Sequence, residues 1–371
     1  MESISISQPP AKELQCTLSA ESVKVQWDPS MPVFAKPEFL GAVGDEFGWL
    51  GGIDEGGCLR CVLPYTVIRK AGVQMVRFRS ETIPTGPALN VQEEKCFLNR
   101  VVEYFQQNRA DVIIPASNNA IFRTYPDCAV AAPYGTYFIE LEQSESALWA
   151  AVSASHRRHV RSAAKCGVQV RNTPECVSVA HTIIRDTFTK SSMPFMSLEK
   201  FARLISALEG NVHLLVASWQ GKVQCCAVNA FSQHTAYYMY GGSVPDAVPG
   251  AMHLLHWEAI RMYSRLGVNR YDFYGARINP EPGSKAAGLV TFKERFGAKL
   301  HQGYIWKCHI STLKSAIYSF GVRWLRSGDI VDREHHKLDQ HLSAVDSCCV
   351  EPQPDISATG DDGVEKQRGS Y

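Results

Sequence analysis

RYDFYGARINPEPGSKAAGLVTFKERFGAKL, residues 270–300, is the stretch that decides how the rest of the chain folds. RYDFYG is a short aromatic strand. A loop rich in Pro, Gly and Lys follows at 277–287, and then a short helix over 288–296. Asp272 lies in the strand, where a carboxylate is costly to bury without partners. It therefore either pairs with a cation or borders a polar cavity. In the helix, Phe292 and Phe296 are spaced i,i+4 and pack inward, and Gly297 ends it. Lys293 and Arg295 then flank a packed anchor. A lysine held this way can stabilise the oxyanion that forms when an amine attacks an ester or thioester carbonyl. A surface lysine on an amphipathic helix fits the physics equally well.

The preceding stretch, YYMYGGSVPDAVPGAMHLLHWEAI at 237–260, is a strand ending in Tyr240-Gly241-Gly242-Ser243, a loop with Pro245, Pro249 and Gly250, and a helix over 251–266. The free N–H groups of that helix face the loop, a geometry that binds anions. His253 and His256 stand three apart with Glu258 after them, but a metal needs a third converging ligand, so ordinary helix positions are expected. Further upstream, ALWAAVSASHRRHVRSAAKCGVQV at 147–170 predicts one helix from about Glu145 to Cys166, with Ser144 as N-cap and Gly167 as its stop. Arg157, Arg161 and Lys165 fall on one face at i,i+4 steps, with Arg158, His156 and His159 beside them. Such a stripe can bind phosphates of a nucleotide-linked substrate, a coenzyme or a tRNA backbone. Taken alone it reads better as a solvated face whose cations suit the helix C-terminus.

Between these stretches lie the strand VQVRNT, helices at 177–189 and 197–209, and the strands VHLLVASW, KVQCCAVNAF and TAYYMYGGS, while HQGYIWKCHI closes the unit as a strand. The first half has the β-rich runs GWLGG, GGCLRCVLPYTVI, VQMVRF and PTGPAL, a helix at 92–108 and the buried strand DVIIPAS. TYFIELEQS, also a strand, links the halves. Mixed β-sheets flanked by helices, an α/β (α+β) class, follow from this order.

At 371 residues the chain is long enough for two domains. The expected division is an extended lead-in without a fold of its own at 1–35, an N-terminal domain at 36–144, a C-terminal domain at 145–326 and a polar, disordered tail at 327–371. A 45% hydrophobic and 20% charged composition is that of a globular core. A net charge of +1 gives no global field toward nucleic acid or an anionic membrane. No apolar run approaches the length of a membrane span, and MESISISQPPAKELQ lacks a basic n-region and an apolar h-region, so a cytoplasmic location with reduced thiols is expected. Cys58 and Cys61 form a CxxC in a strand-like run that points them to opposite faces, with no second pair to complete a zinc site. Cys348 and Cys349 lie in the polar tail and have nothing nearby that argues for reactivity.

Four features in this order, AAKCGVQV (163–170), YMYGGS (238–243), HWEAIRMYSRLGVNRYDFYG (256–275) and GLVTFKERFGA (288–298), resemble the Fem-type (FemABX) aminoacyltransferases and the Fem-like acetyltransferase domains of the GNAT superfamily. The resemblance spans roughly 40–310, and its last motif is the most specific. It implies two tandem GNAT-like acyltransferase domains around a substrate cleft. It makes Phe292 and Lys293 the family's Phe-Lys pair, with Lys293 as the transition-state cation. Tyr240 and Asp272 would line the cleft, Arg157 and Arg161 become phosphate contacts, and Arg295 joins the substrate-binding set. The implied reaction moves an aminoacyl group from aminoacyl-tRNA, or an acyl group, onto an amine of a peptidoglycan precursor or related metabolite, without metal or redox cofactor. A coenzyme A-dependent N-acyltransferase of polysaccharide or secondary metabolism is the alternative, although the usual glycine-rich pyrophosphate loop is not recognisable after Ser243. A binding protein that keeps the fold without the reaction is the reading from another class. Two departures stand out: no long helical arm separates Val170 from Val212, and the first half matches weakly.

Overall fold

A computed structural model describes residues 18–114, 120–278, 280–311, 314, 316 and 329–337. The described residues begin with strand β1 (Ser19–Val23), helix α1 (Pro37–Val43) and the meander β2 (Glu46–Ile53), β3 (Leu59–Lys70), β4 (Val73–Phe78) and the two-residue β5 (Ile83–Pro84). Helix α2 (Val91–Gln107) follows, opened by a complete capping box in which Asn90 and Glu93 each accept the other's backbone N–H. Strands β6 (Val112–Ile114) and β7 (Val130–Glu140) lead to helices α3 (Glu145–Ala151) and α4 (Ala154–Lys165). Then come β8 (Gln169–Asn172), α5 (Val177–Thr189), α6 (Leu198–Ala207), β9 (Val212–Trp219), β10 (Lys222–Phe231), β11 (Ala236–Ser243), α7 (Ala251–Arg265), β12 (Arg270–Asp272), α8 (Lys285–Glu294) and β13 (Lys299–His309).

The strands hydrogen-bond in the order β1-β2-β3-β4-β6-β13-β7-β12-β11-β10-β9-β8, with β5 on β3. Two α/β layers are thereby joined into one mixed sheet. β13 is the joint: it pairs antiparallel with β6 at Cys308↔Ile113 and with β7 from Lys299↔Phe138 to Lys307↔Val130. β7 thus lies among the later strands, between β13 and β12. Separate cores form on α2 (Phe97, Val101, Phe105 with Trp306) and on α7 (Leu255, Ile260, Tyr263 with Tyr271 and Phe296).

Three expectations are corrected. The lead-in is folded in its described part, because β1 completes the sheet edge from Ser19↔Ile53 to Val23↔Trp49. Val33, Phe34 and Ala35 are buried, with the Phe34 ring 4.7 Å from Tyr237. The tail is not disordered throughout. Residues 330–337 are helical, Val331 is fully buried, and the buried Lys307 ammonium sits 3.0 Å from Asp329 and 2.5 Å from Asp332. A buried cation needs such partners, and the segment supplies them. The remaining stretches of that tail, Cys348 and Cys349 included, lie outside the described residues. Finally, the basic helix is two helices. Ser144 caps the first, but Ser153 turns the chain out and caps the second, accepting the His156 N–H at 3.3 Å.

Gly250 shows why the α4–α7 packing needs a glycine. Its φ of +89° lies in the left-handed region, and a Cβ there would stand 2.4 Å from the His159 carbonyl oxygen of α4. Gly250→Ala is expected to cost at least about 1–2 kcal/mol from backbone strain alone. A thermal melt should show a clearly lower Tm, and an unchanged one would mean that α4 and α7 are not packed this closely.

Candidate active site

β11 and β12 run parallel but pair at two positions only, Ala236↔Tyr271 and Tyr237↔Asp272. Beyond them the strands part. β11 stays on β10 as far as Ser243↔Cys225, while the chain after β12 stays on β7, where Phe273 N–H donates to the Tyr137 carbonyl (2.9 Å) and Ala276 N–H to that of Gly135 (2.6 Å). The flank of β11 past Tyr237 is left without a strand partner among the described residues. Unpaired backbone in a sheet interior is a template for an extended ligand.

At the point of divergence the backbone turns through Tyr274 (φ +60°) and Gly275 (φ +68°). Asp272 holds that turn. Its Oδ1 accepts from the Tyr274 N–H (2.6 Å) and the Thr136 hydroxyl (2.5 Å), and Thr136 in turn accepts the Gly275 N–H (3.0 Å). Lys293, on the last turn of α8, donates from Nζ to the Gly275 carbonyl at 2.5 Å. Its side chain is 9% exposed, and burial lowers its pKa to about 8, the attraction of Asp272 opposing that shift. Burial likewise raises the Asp272 carboxyl, against the Thr136 and Tyr274 hydrogen bonds and the Lys293 charge. Desolvation outweighs mutual attraction for both groups.

α8 is seated by rings. Phe296 is buried, and Phe292 lies 5.2 Å from Phe296, His156 and His253 and 5.5 Å from His256. The three imidazoles serve as packing. Burial lowers the pKa of each, to about 4 for His253 and about 3 for His256, whose Nδ1 is 2.9 Å from the Tyr271 hydroxyl. The fold thus brings together Phe292, Lys293 and Asp272. Tyr240 belongs to another cluster, with Phe188, Phe195 and Phe201 at 6.3, 5.3 and 6.3 Å. Arg157 turns back to close α3, its Nη1 donating to the carbonyls of Ala150 (3.0 Å) and Val152 (2.6 Å). Arg161 is exposed and lies 5.4 Å over the Trp149 ring, and Arg295 is exposed while its carbonyl accepts from Ser153 N–H (2.8 Å). Thr136 and Gly275 are site residues that the sequence does not single out, since a threonine in a strand and a glycine after one carry no chemical signature.

A cavity of about 130 Å³ opens beside Asp272 and Thr136, where Glu81, Glu94 and Arg123 from the first half meet Tyr237 and Arg270 from the second. The larger cavity, about 420 Å³, lies at the far edge between β1 and α2, away from Lys293.

Residues 150–282 match the family profile described as an acetyltransferase (GNAT) domain. The chain carries a GNAT domain. The protein is accordingly an acyltransferase, and its GNAT domain contains the parting strands, the Asp272 turn and α7. The fold extends beyond the profile. A crystal structure of FemX superposes with a TM-score of 0.59 at 13% identity, covering 80% of this chain and 99% of FemX. That likeness makes the whole architecture Fem-like: a GNAT layer with a second α/β layer before it. The C-terminal domain of a putative lysylphosphatidylglycerol synthetase from Agrobacterium fabrum (TM-score 0.47, 11% identity, 78% of this chain and 92% of that one) and a tandem GNAT protein from the clavulanic acid biosynthesis pathway (0.44, 10%, 79% and 99%) are more distant and carry no argument. No curated protein sequence matches the chain.

Proposed function

We propose that the protein transfers an aminoacyl group from aminoacyl-tRNA onto an amine of a cell-wall precursor or related metabolite, in the cytoplasm. One observation carries the reading: a buried ammonium, Lys293, is fixed on the Gly275 carbonyl where β11 and β12 part. In such a place a cation gains far more from a developing oxyanion than it would in water. The amine nitrogen attacks the donor carbonyl carbon and a C–N bond forms. Lys293 takes the oxyanion, the ester C–O bond breaks as the carbonyl re-forms, and the proton that the nitrogen gives up ends on the departing oxygen. Holding both substrates at the junction of the two layers supplies much of the remaining acceleration. No metal or redox cofactor enters this scheme. Phe292 positions Lys293, Asp272 fixes the turn that holds it, and Arg161 with Arg295 offers exposed charge to a phosphate-bearing donor.

A second reading, transfer from a coenzyme A thioester, draws support from the unpartnered flank of β11, which an extended pantetheine arm could complete. Incubation with charged tRNAs, acyl-CoAs and candidate amines, read by the mass increment on the acceptor, separates the two. Product formation abolished by RNase supports the tRNA donor. Formation that survives RNase and requires the thioester replaces it with coenzyme A.

A further inference from the structure

The charges around the small cavity do not cancel. Glu94 is neutralised by Arg123, whose Nε lies 2.8 Å from its carboxylate, and Arg270 is engaged by Glu140 at 3.2 Å. Two carboxylates remain without an ion pair among the described residues, although the Lys293 charge acts on Asp272. Glu81 has no ion pair among the described residues, and Asp272 receives both of its hydrogen bonds on Oδ1, leaving Oδ2 without a donor among them. Asp272 is 7% exposed and lines the cavity, so this oxygen is left to accept from a donor that enters. The complement of two carboxylates in a pocket of this size is a primary ammonium, which brings three N–H donors and one positive charge. Tyr237 and Phe138 supply apolar wall for the carbon chain behind it. A pocket of about 130 Å³ admits the end of a substrate, not a whole one.

We infer that this cavity binds the acceptor through its primary ammonium, and that Glu81 then takes the proton that must leave before the nitrogen can attack. The ammonium N–H proton passes to the Glu81 carboxylate and its bonding pair stays on nitrogen. That pair forms the C–N bond at the donor carbonyl, the ester or thioester bond breaks with its electrons on oxygen or sulfur, and the nitrogen's second surplus proton passes to that leaving atom. The proton step rests on the acyl-transfer reading above; the ammonium binding does not. Asp272 then borders both ends of the reaction, lining the ammonium cavity while its Oδ1 holds the turn on which Lys293 rests.

The titration of Glu81 supports the geometry. Burial, with Asp272 and Glu94 adding to it and Arg270 opposing, raises its pKa to about 7. Around it, burial lowers His234 to about 4, lowers His301, raises Glu94 and Asp272, and holds Tyr237 well above its usual value. A carboxylate of pKa about 7 goes from roughly one-tenth to nine-tenths ionised between pH 6 and 8.

Saturation-transfer NMR on the full chain, with n-pentylamine as probe and n-pentanol as its uncharged counterpart, tests this without any turnover. The amine should bind and the alcohol should not. At pH 8 the Glu81→Gln variant should bind the amine about tenfold more weakly than the parent, at pH 6 the two should differ less than about twofold, and Glu81→Asp should recover part of the loss. Equal binding of amine and alcohol by the parent, or unchanged binding of the amine by Glu81→Gln at pH 8, overturns the inference. Correct amine binding by a protein that transfers no acyl group from any donor upholds the ammonium site and defeats the proposed function alone.

Discussion

Lys293→Ala is expected to lower kcat about 10²–10³-fold, the size of effect seen when one oxyanion donor is removed. KM for the acceptor should change little, because Lys293 interacts with charge that exists only in the transition state. The pH profile gives the sharper test. Burial holds the Lys293 ammonium at about 8 against a usual lysine value of 10.5, so activity should fall as pH rises through 8. Stability should move the other way. Between about 8 and 10.5 the unfolded chain binds the proton that the folded chain has released, so the free energy of unfolding contributed by this group rises with pH. This group therefore gives no cause for unfolding above pH 8. Lys293→Arg keeps its charge across this range and should lose the alkaline limb even if its larger group lowers the maximum rate. An alkaline limb unchanged in Lys293→Arg would show that some other group titrates.

The sequence makes the GNAT half legible because its signals are local. Gly167 stops α4 at φ +85°, Ser144 caps α3, and Phe296 anchors α8, each from residues within one turn of the feature it sets. Asp272 is legible in kind as well: it borders a polar cavity, one of the two alternatives for a buried carboxylate, and the Lys293 charge acts on it without an ion pair among the described residues. The helix that carries Arg157 reads from the sequence as one uninterrupted run from about Glu145 to Cys166. Ser153 interrupts it, and the side chain that an ideal helix would send outward turns back to the carbonyls of α3. The folded part of the lead-in was hidden for another reason. Phe34 packs on Tyr237 some two hundred positions away, and no local pattern announces a contact of that range. The cavity is the extreme case, since its lining runs from Glu81 to His301 and exists only once β13 has joined the layers.

Asp272→Asn separates holding the turn from holding the charge. An asparagine Oδ1 can still accept from the Thr136 hydroxyl and the Tyr274 N–H, so the turn through Gly275 should survive. The folded protein should not melt earlier. Burial raises the Asp272 carboxyl, so its ionised form opposes folding as pH rises through that raised value, and removing it relieves the cost. Lys293, however, loses the negative charge that opposes its desolvation, and its ammonium should surrender its proton at lower pH. The alkaline limb of kcat should therefore shift toward neutrality, with activity at pH 8 reduced about five- to tenfold for a partner worth about one pKa unit, while the loss near pH 6 is smaller. A variant that loses the same fraction of activity at both pH values, with an unchanged Tm, would mean that Asp272 acts on the substrate alone and not through Lys293. A variant with a sharply lowered Tm would mean that the Asp272 turn needs the carboxylate itself.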